Sequence, residues 1–92
     1  MIRSFASKDT ESLFRYERVS RFRGFEPAAL RKLIQLDKVD SLQELGVPPG
    51  NRLEKLKGDR AGQWSIRIND RWRLCFQWQS DGAHQVEIVD YH

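Results

Sequence analysis

Between Trp64 and Trp78 the chain alternates so regularly that the way it turns back on itself decides its architecture. Trp64, Ile66 and Ile68 alternate with Ser65 and Arg67. Trp72, Leu74, Phe76 and Trp78 alternate with Arg73, Cys75 and Gln77. Successive side chains of a strand point to opposite faces, so each run carries one apolar and one polar face. Asn69-Asp70-Arg71 joins the runs, and the length of this connection sets their register. A two-residue turn would pair Ile68 with Arg71 and scatter the aromatics over both faces. A three-residue connection pairs Ile68 with Trp72 and Ile66 with Leu74, and gathers every large apolar group on one surface. That second register is the expected one. It sends Ser65, Arg67, Arg73 and Cys75 to the opposite face, with Arg73 projecting away from the main core.

The flanking segments supply what covers the apolar surface. Met1 to Phe5 alternates loosely and predicts a short first strand. Ser7 suits the N-cap of a helix whose first turn holds Asp9 and Glu11, where the helix dipole favours acids. Pro27, behind Glu26, suits the first turn of a second helix. Leu30, Leu33 and Ile34 line one face of it, with Ala29 and Leu36 beside them. Ser41-Leu42-Gln43-Glu44 has capping-box spacing, and Gly46 can end the short helix it starts. Val47-Pro48-Pro49-Gly50 is a turn. Asn51 to Leu56 reads as a strand, Lys57 to Gly62 as a loop, Ser80 to Ala83 as a turn, and Val86 to Tyr91 as the last strand. The order is a strand, two or three helices, then a four-strand antiparallel run. This is α+β, with the helices on one face of a mostly antiparallel sheet and the other face left polar and basic. Ninety-two residues suit one domain spanning 1–92.

Charge and composition narrow the function. There are 16 Lys and Arg against 13 Asp and Glu, a formal +3. Seven of those cations, Arg52, Lys55, Lys57, Arg60, Arg67, Arg71 and Arg73, fall within 22 residues of the second half, a window whose acids are Glu54, Asp59 and Asp70. The surface therefore suits an anionic partner such as nucleic acid; a solvated strand face is the plainer reading. The single cysteine, Cys75, excludes an internal disulfide and a cysteine-based zinc site. His84 and His92 lack metal-ligand spacing, and no cofactor motif is present. No apolar run is long enough to span a membrane, and the N-terminus lacks a signal-peptide core, so a cytoplasmic protein is expected.

The last strand run leads into Asp90-Tyr91-His92, a carboxylate, a phenol and an imidazole that can move protons. Basic groups beside proton-transfer groups suit chemistry on a phosphate. An RNA strand cut by its own 2′-hydroxyl needs a base, an acid for the leaving 5′-oxygen and positive charge on the phosphate oxygens. Arg73 on a rigid strand and Lys57 in a Gly-flanked loop can supply the charge, with Arg52 and Arg60 as further candidates. Glu54, Asp90, Tyr91 and His92 can exchange protons. Each also has a structural reading: a surface strand arginine, a solvated loop lysine, a half-buried tyrosine, a terminal histidine, an aspartate paired to a neighbouring arginine. His84 reads as structural.

Met1-Ile2-Arg3-Ser4-Phe5, Leu56-Lys57-Gly58-Asp59-Arg60-Ala61-Gly62-Gln63-Trp64-Ser65-Ile66, Asn69-Asp70-Arg71-Trp72-Arg73-Leu74-Cys75-Phe76 and the closing Asp90-Tyr91-His92 resemble HigB toxins of the RelE/ParE superfamily, also called plasmid maintenance killer proteins. Pro48-Pro49-Gly50-Asn51-Arg52-Leu53-Glu54 most resembles the branch that includes the GraT toxin. The resemblance spans nearly the whole chain and is specific in its second half. It implies a RelE-like fold, a HigA-like antitoxin partner with a helix-turn-helix domain, and operator DNA contacted only through that antitoxin. It further implies metal-independent cleavage of mRNA in the ribosomal A site. Active-site roles then fall on Lys57, Arg73, Asp90, Tyr91 and His92. Arg52, Arg60, Arg67 and Arg71, from the basic run itself, are the expected RNA- or phosphate-binding residues. Some HigB members carry histidine where this chain has Glu54, which can serve as the base or pair with Lys57 or Arg73. The same superfamily contains gyrase-poisoning toxins that cut nothing, so a non-enzymatic growth inhibitor, or a basic ribosome- or RNA-binding module, is the alternative.

Overall fold

The expected register is the one observed. In the computed structural model, which describes residues 1–90, β2 (Trp64–Arg67) pairs antiparallel with β3 (Trp72–Gln79), Ile66 opposite Leu74 and Arg67 opposite Arg73. The Ile68 amide donates to the Trp72 carbonyl at 3.0 Å, which closes the connection. Asn69 Oδ1 accepts from the amides of Arg71 (2.9 Å) and Trp72 (2.8 Å), an Asx turn that fixes the odd count. With β1 (Glu54–Lys55) and β4 (Gly82–Asp90) the sheet runs β1-β2-β3-β4, all antiparallel.

Two helices cover the apolar face. Helix α1 (Lys8–Phe14) starts where Ser7 Oγ accepts from the Thr10 amide at 3.2 Å. Helix α2 (Glu26–Lys38) begins with Pro27 in its first turn. Its buried stripe is Ala29, Leu33 and Leu36; Leu30 and Ile34 are half-buried flanks, so the face is rotated slightly from the expected one. Phe22, Leu33, Leu36, Leu45, Ile66, Leu74, Phe76, Val86 and Ile88 are fully buried between the layers. Burial of this apolar area is the main stabilising contribution. The capping box at Ser41 and Glu44 forms as expected and opens a 3-10 turn over Leu42–Gly46.

Three segments depart from expectation. The first strand is reduced to two parallel bridges beside β4, Ile2 with Ala83 and Phe5 with Val86, held by backbone bonds such as Arg3 N to Ala83 O at 2.7 Å. Between them Gln85 takes a left-handed conformation (φ 53), and β4 shifts register against β3 between Cys75 and Gln77. One extra residue there re-aims the strand. The strand expected over Asn51 to Leu56 shrinks to two residues. Asn51 ends a 3-10 turn (Pro49–Asn51) and is fully buried, its amide donating to Leu45 O (3.0 Å) and Gln35 Oε1 (3.1 Å) while its own oxygen accepts from Lys32 Nζ. Arg52 follows in the left-handed region (φ 47), which interrupts the extended run ahead of β1. Finally, β4 begins at Gly82, inside the expected turn.

Candidate active site

The sheet face away from the helices carries two cross-strand rows. Glu54, Ser65, Cys75 and Glu87 form one, and Arg67, Arg73 and Val89 the next. The register alone dictates this, because directly opposed residues share a face. Arg73 sits at the centre of the second row on a long strand paired on both sides, a rigid mount. Its guanidinium donates to the Arg52 carbonyl at 2.8 Å, so the left-handed turn at Arg52 aims its oxygen at Arg73.

The β1–β2 loop closes over the first row. Lys57 precedes the 3-10 turn Gly58–Arg60 and is exposed. Arg60 reaches across to Glu87 Oε1 (3.3 and 3.4 Å) and also donates to Gln63 Oε1 at 3.1 Å. Beneath this bridge Leu56, Cys75 and Val89 make a small apolar cluster. Burial pushes the Cys75 thiol up to about 11, with Arg60 pulling it down and Glu87 pushing it up less strongly. A thiol held protonated at neutral pH is a packing group and not a nucleophile.

The other expected residues divide. Glu54 is exposed on the Arg73 face, one row away. Arg67, beside Arg73, contacts Asp70. Asp90 lies opposite Trp72, on the pleat away from Arg73, and Arg71 grips it through Nε at 3.0 and 2.9 Å and a terminal nitrogen at 2.6 Å. The hydrogen bond to Asp90 raises the Arg71 pKa. Arg52 is exposed at the rim. Thus Arg73, Arg67, Glu54 and the Lys57–Arg60 loop share one face, while Asp90 and Arg71 sit at its end. Tyr91 and His92 lie outside the described residues. His84 meets Asp81 at 2.7 Å at the β3–β4 turn, a structural contact as expected.

Two features escaped the sequence reading. Asn51 was read as a strand residue; the preceding Pro-Pro-Gly was the signal that a turn reaches it. The arginines at 15, 18, 21 and 23 carry no role in the strand and helix patterns, though four in nine positions is itself a signal. A recess of about 610 Å³ lies elsewhere, between α2 and the Leu42–Gly46 turn, and its carboxylate, Glu44, is committed to the Asp40 and Ser41 amides. Among the described residues no three His, Cys, Asp or Glu side chains converge on a metal position. None of the described helices is long and apolar enough to cross a membrane.

Residues 3–92 match the model of the RelE-like toxin of type II toxin-antitoxin systems, HigB. The chain belongs to this family. It is 45% identical over 67 residues to Toxin HigB-1 of Vibrio cholerae, covering 73% of this chain and 70% of that protein. It is 32% identical to Endoribonuclease HigB of Proteus vulgaris over the full length of both. The fold of this HigB-like toxin matches YoeB–YefM complexes from Staphylococcus aureus. One, a heterotetrameric toxin-antitoxin complex, gives a TM-score of 0.63 at 22% identity over 100% of this chain and 98% of that one. A second gives 0.58 at 20% identity with the same coverage.

Proposed function

We propose that this HigB-like toxin is an endoribonuclease that cuts mRNA in the ribosomal A site. The 2′-oxygen of the substrate attacks the adjacent phosphorus as a base takes its proton. The 5′-oxygen leaves with a proton from an acid, giving a 2′,3′-cyclic phosphate and a 5′-hydroxyl. The reaction needs no metal if cations meet the charge that builds on the non-bridging oxygens. The observation that carries this reading is Arg73, mounted near the start of β3 between two paired strands, on the sheet face away from α1 and α2, and steadied by the Arg52 carbonyl. A guanidinium so placed offers a planar fork to a phosphate. Lys57 assists it from the loop rim. Glu54, Asp90, Tyr91 and His92 form the pool from which base and acid are drawn. Arg52, Arg60, Arg67 and Arg71 flank the site as phosphate contacts, Arg60 and Arg71 after exchanging Glu87 and Asp90 for the substrate. The name of the Proteus vulgaris relative supports the nuclease reading. In this reading the toxin is cytoplasmic, a HigA-like helix-turn-helix antitoxin restrains it, and it meets operator DNA through that partner alone.

The test is in-vitro translation with 5′-end mapping, ribosomes present and absent, for the native toxin and Arg73→Ala. Codon-phased cuts only on ribosomes are expected, with the variant slowed about 10²–10³-fold, the usual cost of one transition-state charge donor. Intact message with arrested growth would replace this reading with the non-enzymatic one.

A further inference from the structure

A second basic surface adjoins the proposed site and is built from a different part of the chain. The segment between the helices holds Arg15, Arg18, Arg21 and Arg23 against one acid, Glu17. It is a fixed structure. Phe22 is fully buried, Ser20–Phe22 form a 3-10 turn, and Glu26 Oε2 accepts from the Val19 amide at 3.3 Å. Phe25, just beyond, stacks on Trp72 with ring centroids 4.8 Å apart. Arg21 and Arg71 both lie over that same Trp72 ring, each 5.6 Å from its centroid. Trp72 therefore clasps the inter-helix segment to the β2–β3 turn, one residue from Arg73.

Arg15 is paired with Glu11 at 3.0 Å, and Arg21 loosely with Asp9 at 3.9 Å. Arg18 and Arg23 are exposed and make no ion pair with the described residues. They border a recess of about 240 Å³ with Ser20 between them and Glu26, already turned to the Val19 amide, at its edge. Two exposed cations on a turn anchored by buried Phe22, beside the Ser20 hydroxyl, present spaced, directional donors to an extended anion.

We infer that Arg18 and Arg23 bind the phosphodiester backbone of folded RNA next to the message, so that the basic surface wraps the end of the sheet from Arg73 past Trp72 to the inter-helix segment. The inference rests on the nuclease reading for the position of the message. It assigns these arginines to docking and leaves the cleavage step to Arg73.

The experiment measures binding of the full-length toxin to purified 70S ribosomes carrying a short message, across salt concentrations, with 5′-end mapping in parallel. The double variant Arg18→Gln, Arg23→Gln is compared with Arg18→Lys, Arg23→Lys and with Arg73→Gln. Each lost phosphate contact removes about one from the slope of log K against log salt. The Gln pair is therefore expected to bind roughly tenfold more weakly or worse, with a slope shallower by about two, at unchanged melting temperature and antitoxin affinity. The Lys pair retains most of the binding, and Arg73→Gln stops cutting without losing the ribosome. Native-like ribosome affinity and slope in the Gln pair would overturn the docking assignment while native cutting left the nuclease reading intact. Loss of antitoxin binding alone would hand the surface to an acidic protein partner and equally overturn it. Salt-sensitive ribosome binding that the Gln pair weakens, without any cutting by native toxin, would sink the nuclease reading and leave the docking surface standing. A native toxin that neither binds nor cuts would remove both.

Discussion

Asn51→Ala should destabilise this protein more than its single side chain suggests. Asn51 is fully buried and ties three elements together: Lys32 and Gln35 of α2, and the Leu45 carbonyl of the 42–46 turn. Alanine leaves the Leu45 carbonyl without its side-chain donor, and stranding a buried acceptor costs about 1–3 kcal/mol. Lys32 and Gln35 are half-buried and can turn to water, so each of those bonds adds roughly 0.5–1 kcal/mol. The sum is about 3 kcal/mol. For a domain of this size, about 4–8 °C of melting temperature is lost per kcal/mol, so a drop of about 12 °C or more is expected. Circular dichroism melts of native protein, Asn51→Ala and Lys32→Met measure it. Lys32→Met should cost less, because it strands only the Asn51 oxygen and leaves the bonds to Gln35 and Leu45, and burial and the nearby Arg31 and Arg67 already hold the Lys32 pKa down. A loss under about 4 °C in Asn51→Ala, or a larger loss in Lys32→Met, would refute the hub.

Two further perturbations probe the sheet. Cys75 has a folded-state pKa raised from 9.0 to about 11, chiefly by burial, so between those values the unfolded chain gives up a proton that the native state keeps. Stability should fall as pH rises from about 9 to 11; urea titrations of Cys75→Ala lose that component of the slope, and an unchanged difference between the two proteins across the window would contradict the burial. A Cβ on Gly82, at φ +130, would stand 2.1 Å from the Met1 carbonyl oxygen. Gly82→Ala should therefore detach residues 1–5 from β4 and cost about 2 kcal/mol or more, seen as lost amide protection at Arg3, Ala83 and Val86; retained protection would be incompatible with the contact.

The sheet was legible because its signals are local and agree. Alternation from Trp64 to Trp78 and the parity of Asn69-Asp70-Arg71 leave one register that gathers the aromatics. The caps at Ser7 and Ser41 were readable for the same reason. What escaped was set by contacts distant in sequence. The Asn51 amide is recruited by Gln35 and Leu45, which overrides an extended preference. The Met1–Phe5 segment takes its backbone partners from residues 83–86, and the shift at Gln85 has no cue in the alternation. At the site, Arg73's face was correctly deduced from pairing. The position of Asp90 on the opposite pleat follows from the same pairing once Trp72 is known to oppose it. Tyr91 and His92, which the resemblance ranks beside Arg73, fall outside the described residues.

The partnership between the two ends of the chain also bears on timing. Ile2 and Phe5 meet Ala83 and Val86, and Ile88 donates to Thr10 across 78 positions at 3.0 Å. β4 is the sole neighbour of β3 on that side and contributes Val86 and Ile88 to the core. Long-range closure of this kind cannot begin until β4 has been made, and it is slow compared with helix formation. A nascent copy therefore has no assembled Arg73 face before β4 has emerged. The interval between the emergence of β4 and its docking against β3 is therefore one in which the strands have been made but the Arg73 face has not formed.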